Sequence, residues 1–383
     1  MPFGTADASA VCMDSTLSLG GELGPAKIVH FFDAAIGLKA ILVVDNVACG
    51  PAIGGCRMAP DVTLSECARL ARAMTLKNAA AGLPHGGGKS VIAADPKQDR
   101  QKKERLIRAF ARAIADQRDY IVGPDMGTDE ECMAWAYDEI GRAVGLPREI
   151  GGIPLDELGA TGFGVAVAAQ VAQDYVGLDL KTARVAVQGF GSVGIHAARF
   201  LAERGATLVA ACDSQATVVA PDGLDVDALI AFKRETGSVR VFPGAKTLPR
   251  DAIVEVDCDV WIPAARPDVI DERNAGSLRA KLVVSGANIP ITAQGEQLLA
   301  DRGVLVVPDF IANAGGVICA SVEFHGGSQT AAFTAIAEKI HSNTRAVLEE
   351  SKRRGSLPRA AAEAIAEARV RRAMGYRRFG PRA

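Results

Sequence analysis

The 383-residue chain has no excess of either charge: 43 Lys and Arg stand against 45 Asp and Glu, a formal net charge of −2. That balance supplies no field to draw the protein to nucleic acid or to an anionic membrane. No apolar run approaches the ~20 residues that span a bilayer. The N-terminal MPFGTADASAVCMDS lacks the basic start and apolar stretch of a secretion signal. Cysteine pairs are missing too. Cys12, Cys49, Cys56, Cys67, Cys132, Cys212, Cys258 and Cys319 are scattered without CxxC spacing, which predicts buried reduced thiols and a cytoplasmic protein. The five histidines show no ligand spacing, so no metal site is expected. There is no internal repeat.

What is present suffices for two cores. KAILVVDNV, residues 39–47, reads as a strand. Apolar residues at helical spacing predict helices over 64–80 and 105–117, and Asp129 is placed to cap a third. The stretch 151–164, GGIPLDELGATGFG, is dense in Gly and Pro and marks a domain boundary. Beyond it, short β-rich runs at 184–188, 207–212, 259–262, 281–285 and 304–307 alternate with helical stretches, as in a doubly wound parallel sheet. The expected division is 1–150, 151–329 and a helical 330–383 that returns to the first domain. The basic end, ARVRRAMGYRRFGPRA, reads as a solvated helix end and frayed tail.

Two motifs carry chemistry. In VAVQGFGSVGIHAARF, an apolar strand runs into GxGxxG and then a helix. Gly189 permits the tight turn, Gly191 lets the backbone approach a pyrophosphate, and Gly194 lets the helix pack closely; Ser192 and Val193 lie between them. The helix start offers free N–H groups to phosphate. The next strand ends at Asp213, where an acid can accept ribose hydroxyls and repel a 2′-phosphate, so NAD is the expected cofactor. The other motif is MTLKNAAAGLPHGGGKS, with Lys77 and Lys89 around a glycine-rich stretch. It is not a phosphate-binding P-loop: the required first glycine falls on Leu83. Gly86, Gly87 and Gly88 are expected to expose Lys89 at a close turn. One cation could then hold a substrate carboxylate and lower the pKa of the other, making a general base. Spacing alone leaves open two unrelated surface lysines.

Resemblance narrows this. From about Gly37 to Glu323 the chain resembles the glutamate/leucine/phenylalanine/valine dehydrogenase family, through GPAIGGCRMAPD, MTLKNAAAGLPHGGGKSVIAADP, GPDMGT, ATGFGV, VQGFGSVG, SGANIPIT and PDFIANAGGV in that order. The resemblance implies an N-terminal α/β substrate domain and a Rossmann domain with a cleft between them. It implies reversible oxidative deamination of an L-amino acid to a 2-oxo acid and ammonia, in a homo-oligomer. It makes Lys77 the carboxylate-binding lysine, Lys89 the catalytic lysine and Asp125 the proton-transferring acid. Thr161, Asn288 and Asn313 would line the nicotinamide and substrate cleft, with Gly55 at the substrate. Glutamate-specific members have a lysine where this chain has Ile53 and a serine where it has Ala320. An Ile/Ala pair cannot offset desolvation of a side-chain carboxylate, so the resemblance favours leucine, valine, isoleucine or phenylalanine as substrate. The leucine branch has threonine at Ser90, the glutamate branch glycine. Ile53 could also be ordinary core packing. Glutamate dehydrogenase, and a non-catalytic NAD-binding sensor of the same fold, are the alternatives.

Overall fold

In the computed structural model, which describes residues 16–376, strand hydrogen bonding separates two sheets. The first contains β1 (Lys27–Asp33), β2 (Leu38–Asn46), β3 (Ala52–Ala59), β4 (Gly86–Ala93) and β5 (Tyr120–Pro124), in the order β1-β2-β4-β3-β5. β3 runs parallel to β4 and β5, and β2 is antiparallel to β1 and β4. Strand alternation divides the faces. Val43 and Val91 pack with Cys67 and Ala71 of α1 (Leu64–Ala80). Leu42, Val44, Met58 and Ile92 pack with α2 (Arg100–Ala113) and α3 (Glu130–Ile140). Covered on both sides, β2 needs the near-continuous apolar run seen in its sequence.

α1 spans the expected residues, with the Thr63 hydroxyl accepting from Glu66 N–H. Asp129 caps α3 as expected, accepting from Cys132 N–H at 2.9 Å. α2 differs from the expected 105–117. It starts at Arg100 because the Asp99 carboxylate caps Gln101 and Lys102. The glycine-rich stretch also differs: Gly86, Gly87 and Gly88 open strand β4 and form no turn. Their role is close packing. A Cβ on Gly87 would lie 2.0 Å from the Thr75 nitrogen, so glycine lets α1 lie directly on the strand.

The second sheet has the order β12-β11-β10-β6-β7-β8-β9, from β6 (Arg184–Gln188), β7 (Thr207–Cys212), β8 (Thr217–Val219), β9 (Lys246–Leu248), β10 (Val260–Pro263), β11 (Leu282–Val284) and β12 (Leu305–Val307). Five strands are parallel, at the places expected within one or two residues. β8 and β9 extend the edge antiparallel and are too short to stand out in sequence. The helices are α4 (Ala160–Val176), α5 (Ser192–Ala202), α6 (Val226–Thr236), α7 (Ala293–Asp301), α8 (Asp309–Ala312) and α9 (Gly315–Phe324). ATGFG, expected within the Gly/Pro-rich connection, forms the first turn of α4.

α10 (Gln329–Arg354) packs on α4 and α9, and α11 (Pro358–Gly375) packs on α1. The basic end is therefore not merely solvated. Val370 is buried, and Arg369 donates to the carbonyls of Ala79 and Leu83 at 2.7 and 2.9 Å. Residues 377–383 of that segment, like Cys12, lie outside the described residues. Cys56, Cys67, Cys132, Cys212, Cys258 and Cys319 are buried free thiols, and Cys49 is half-buried. Among the described residues no helix is long and apolar enough to cross a membrane.

Candidate active site

Strand alternation groups the first residues of the site. Ile53, Gly55 and Arg57 share one face of β3. Asp125 follows β5, and Gly55 is what admits it: a Cβ there would lie 2.7 Å from the Asp125 Cβ. The Asp125 loop is pinned by the Thr128 hydroxyl, which accepts from Asp125 N–H at 3.0 Å and donates to the Cys56 carbonyl at 2.8 Å. Lys89, 6% exposed on β4, forms an ion pair with Asp125 Oδ2. Arg57 reaches Asp125 Oδ1 at 3.5 Å and Glu66 at 2.5 Å. Burial, with repulsion from Arg57 and Lys77, pulls Lys89 down to about 7. The lowered pKa favours the free amine that a general base requires.

Lys77 lies on the last turn of α1, half-buried, close enough for its charge to act on Lys89. Burial lowers its pKa to about 8, opposed by the charge of Asp309. Among the described residues its ammonium has no ion-pair partner within 4 Å. Beside this group, Ile53 and Ala320, 3% and 5% exposed, come together in one apolar cluster with Ile121 and Val144. Leu155 packs against it.

The second sheet carries the glycine loop, between β6 and α5. Gly189 sits at φ 95°, which glycine alone adopts freely. A Cβ on Gly191 would meet open space, the cradle a pyrophosphate needs. α5 starts at Ser192 without a side-chain cap, so its first N–H groups remain available to an anion. Ser192 Oγ donates to the Asp156 carbonyl at 3.3 Å, and Val193 packs near Gly286; Gly194 lies against the Gly189 carbonyl. Thr161 stands in the first turn of α4 beside Gly316. Asn313 donates to Asn288 Oδ1 at 2.9 Å, and its own buried Oδ1 has no partner among the described residues. That orphan acceptor and the open cradle fit a dinucleotide.

Asp213 directly follows β7, where expected, and its carboxylate is engaged there. Its carboxylate accepts from Gln215, Ala216 and Val239 N–H, and Lys233 Nζ lies 3.5 Å away. Against the opposing effect of burial, these backbone bonds hold it below the usual carboxylate range. Its acceptor positions are largely occupied within its own turn. Lys233 also donates to the Phe190 carbonyl of the glycine loop at 2.7 Å.

Two family models match the chain. One, described as Glu/Leu/Phe/Val dehydrogenase, dimerisation domain, matches residues 29–142, and the other, Glutamate/Leucine/Phenylalanine/Valine dehydrogenase, matches 151–378. The chain belongs to the Glu/Leu/Phe/Val dehydrogenase family. It is similar to a glutamate dehydrogenase of Thermotoga maritima, 43% identical over 296 residues, covering 74% of this chain and 71% of that protein. An NADP-specific glutamate dehydrogenase of Saccharolobus shibatae is 38% identical over 354 residues, covering 87% and 83%. Among solved structures, the hetero-hexameric glutamate dehydrogenase of Thermus thermophilus in its Leu-bound form matches with TM-score 0.84 and 31% identity, covering 93% of this chain and 91% of that one. This chain is thus an amino acid dehydrogenase, an oxidoreductase with a Rossmann-type domain. These relatives are named for glutamate, one of them as NADP-specific.

Of the residues expected at the site, Lys89 and Gly55 meet Asp125, Ile53 and Ala320 share one cluster, and Lys77 acts on Lys89 through its charge. The sequence does not single out Arg57, Asp309 or Lys233. Arg57 was legible: it stands two residues after Gly55, on the same strand face as the acid's neighbour. Asp309 and Lys233 reach their places only through packing between α1 and α8 and across the Asp213 turn.

Proposed function

We propose that this dehydrogenase catalyses the reversible oxidative deamination of an L-amino acid to a 2-oxo acid and ammonia, with Lys89 and Asp125 as its catalytic pair. The observation that carries the reading is the buried contact of Lys89 with Asp125, beside Arg57 and within electrostatic reach of an unpaired Lys77. A bound nicotinamide supplies the hydride acceptor at Cα. Lys77 pairs with the α-carboxylate and holds Cα in line; Thr161, Asn288 and Asn313 border the same space. Lys89, as free amine, takes a proton from the water that attacks the substrate iminium carbon. Asp125 carries protons to and from the departing nitrogen. A non-catalytic sensor would have no use for this trio.

Side-chain preference divides the observations. Relatedness favours glutamate. The cluster of Ile53, Ala320, Ile121 and Val144 favours an apolar side chain, because it offers no cation to a carboxylate. Because Ile53 and Ala320 stand where glutamate-specific members resembling this chain carry a lysine and a serine, we adopt the apolar reading, with glutamate as the second. For the cofactor we propose NAD, with only a modest preference over NADP, since Lys233 offsets the charge of Asp213. We further propose a homo-oligomer, in line with the matched dimerisation region, and a division at 1–150, 151–329 and 330–383, supported by the two sheets and by α11 on α1. The test is reduced-cofactor formation with NAD or NADP and a panel of leucine, valine, isoleucine, phenylalanine, tryptophan and glutamate. No turnover with any of them would remove the catalytic reading.

A further inference from the structure

A free ammonium on Lys77 is needed to hold a substrate carboxylate, yet the neighbouring α8 opens on a buried carboxylate of the protein. Asp309 opens α8, which packs against α1, and its charge is felt at Lys77. An unrestrained carboxylate in that position would pair with the nearest cation. The structure shows Asp309 held elsewhere. Arg359 of α11 donates Nη2 to Asp309 Oδ1 at 2.7 Å and Nε to Glu296 of α7 at 2.7 Å. Its guanidinium also lies over the Phe310 ring, 5.8 Å from the centroid. The other oxygen, Asp309 Oδ2, accepts from Ile289 N–H at 2.8 Å. Ile289 has φ 44°, a left-handed conformation that costs a β-branched residue dearly and persists only where surroundings enforce it. The residue before it is Asn288, tied to Asn313 at the cleft.

We infer that Arg359 is a positioning residue for the reaction: by fixing Asp309 between α11 and the Ile289 N–H, it keeps that carboxylate off Lys77 and leaves Lys77 free for the substrate's α-carboxylate. The inference rests on the role proposed above for Lys77. A planar guanidinium suits the task because one fork spans both Glu296 and Asp309.

The test is steady-state kinetics of the full-length Arg359→Gln protein with L-leucine and with L-glutamate, alongside NADH binding followed by fluorescence. Without its fork, Asp309 turns to Lys77 and competes with substrate. KM for the amino acid rises by about tenfold, the scale of one weakened charge-assisted hydrogen bond, while NADH affinity holds within about twofold. Adding Asp309→Asn brings KM back toward the unmodified value, since the amide oxygen still accepts from Ile289 N–H but has no charge to offer Lys77. A merely structural tie predicts the reverse, with the double variant no better than the single; that result, or an unchanged KM in Arg359→Gln, overturns the inference. Should Arg359→Gln fail to fold, Arg359→Lys carries the same comparison, because one ammonium cannot span both carboxylates. Lys77→Met separates the two layers: a raised KM there with none in Arg359→Gln sinks this inference alone, and an unchanged KM in Lys77→Met removes the Lys77 role as well.

Discussion

Ile53→Lys combined with Ala320→Ser puts the substrate pocket to its sharpest test. Both native side chains are almost fully buried and share one apolar cluster with Ile121 and Val144. A glutamate side chain entering there would lose its hydration with no cation in return. Even after relaxation, an unpaired buried ion costs about 3 kcal/mol or more. At about 1.4 kcal/mol per decade, that separates glutamate from leucine by about two powers of ten. The unmodified protein should therefore show kcat/KM for glutamate about 10²-fold below that for leucine. The double variant should raise the ratio of the two by a comparable factor. The new lysine is itself costly when no substrate pairs with it, so the melting temperature should fall. A ratio of kcat/KM values measured on one preparation cancels the folded fraction, which makes it the right readout. If glutamate is already the better substrate of the unmodified protein, the reasoning from Ile53 and Ala320 is refuted and the relatives' names have told the truth about the side chain.

The catalytic pair makes its own demands. Lys89→Ala should cut turnover by at least ~10²-fold with NADH binding intact, and Asp125→Asn should do likewise; an active Lys89→Ala protein would end the assignment. Because Lys89 sits at about 7 and acts as the free amine, deamination should climb as pH rises toward 7 and level off above it. A rate that only begins to climb near the ordinary lysine range would show that Asp125 keeps Lys89 protonated. Preference for NAD over NADP in kcat/KM should stay below ~10²-fold, since the Asp213 carboxylate is engaged and Lys233 stands beside it; Lys233→Met should widen the gap, and strict exclusion of NADP by the unmodified protein would contradict this. Gly191→Ala should leave the melting temperature unchanged, because its Cβ meets open space, yet weaken NADH binding by filling the pyrophosphate cradle. Undiminished NADH affinity would place the cofactor elsewhere.

What could be read from the sequence was periodicity and local chemistry. The parallel strands of the second sheet, α1 and the Asp129 cap each follow from a few adjacent residues. The motif glycines announced a close approach, but not of what to what. Gly189 does make the turn, whereas Gly87 makes room for a helix on a strand, and only the fold distinguishes the two. Asp213 shows the same limit from the other side. Its position after β7 is where a ribose acceptor belongs, but its bonds to Gln215, Ala216 and Val239 come from a loop whose course no spacing rule specifies. Arg57 lay within a recognised block and within strand alternation of Gly55. Arg359 and Asp309 are 50 positions apart and meet only because α11 returns across the molecule.

The docking of α11 on α1 also sets an order of events for a nascent chain. The connection between Lys77 and Lys89 has the carbonyls of Ala79 and Leu83 bound by Arg369, and that of Gly82 by Lys339. All three acceptors are made early in synthesis, and their donors arrive more than 250 positions later. While a ribosome is still translating the second sheet, β4 can already pair with β2 and β3, but these three carbonyls still lack their side-chain donors. Contacts of such long sequence separation form late and slowly. A partly synthesised chain thus carries Lys77, Lys89 and Asp125 before the connection between the two lysines has gained the three hydrogen bonds that α10 and α11 supply.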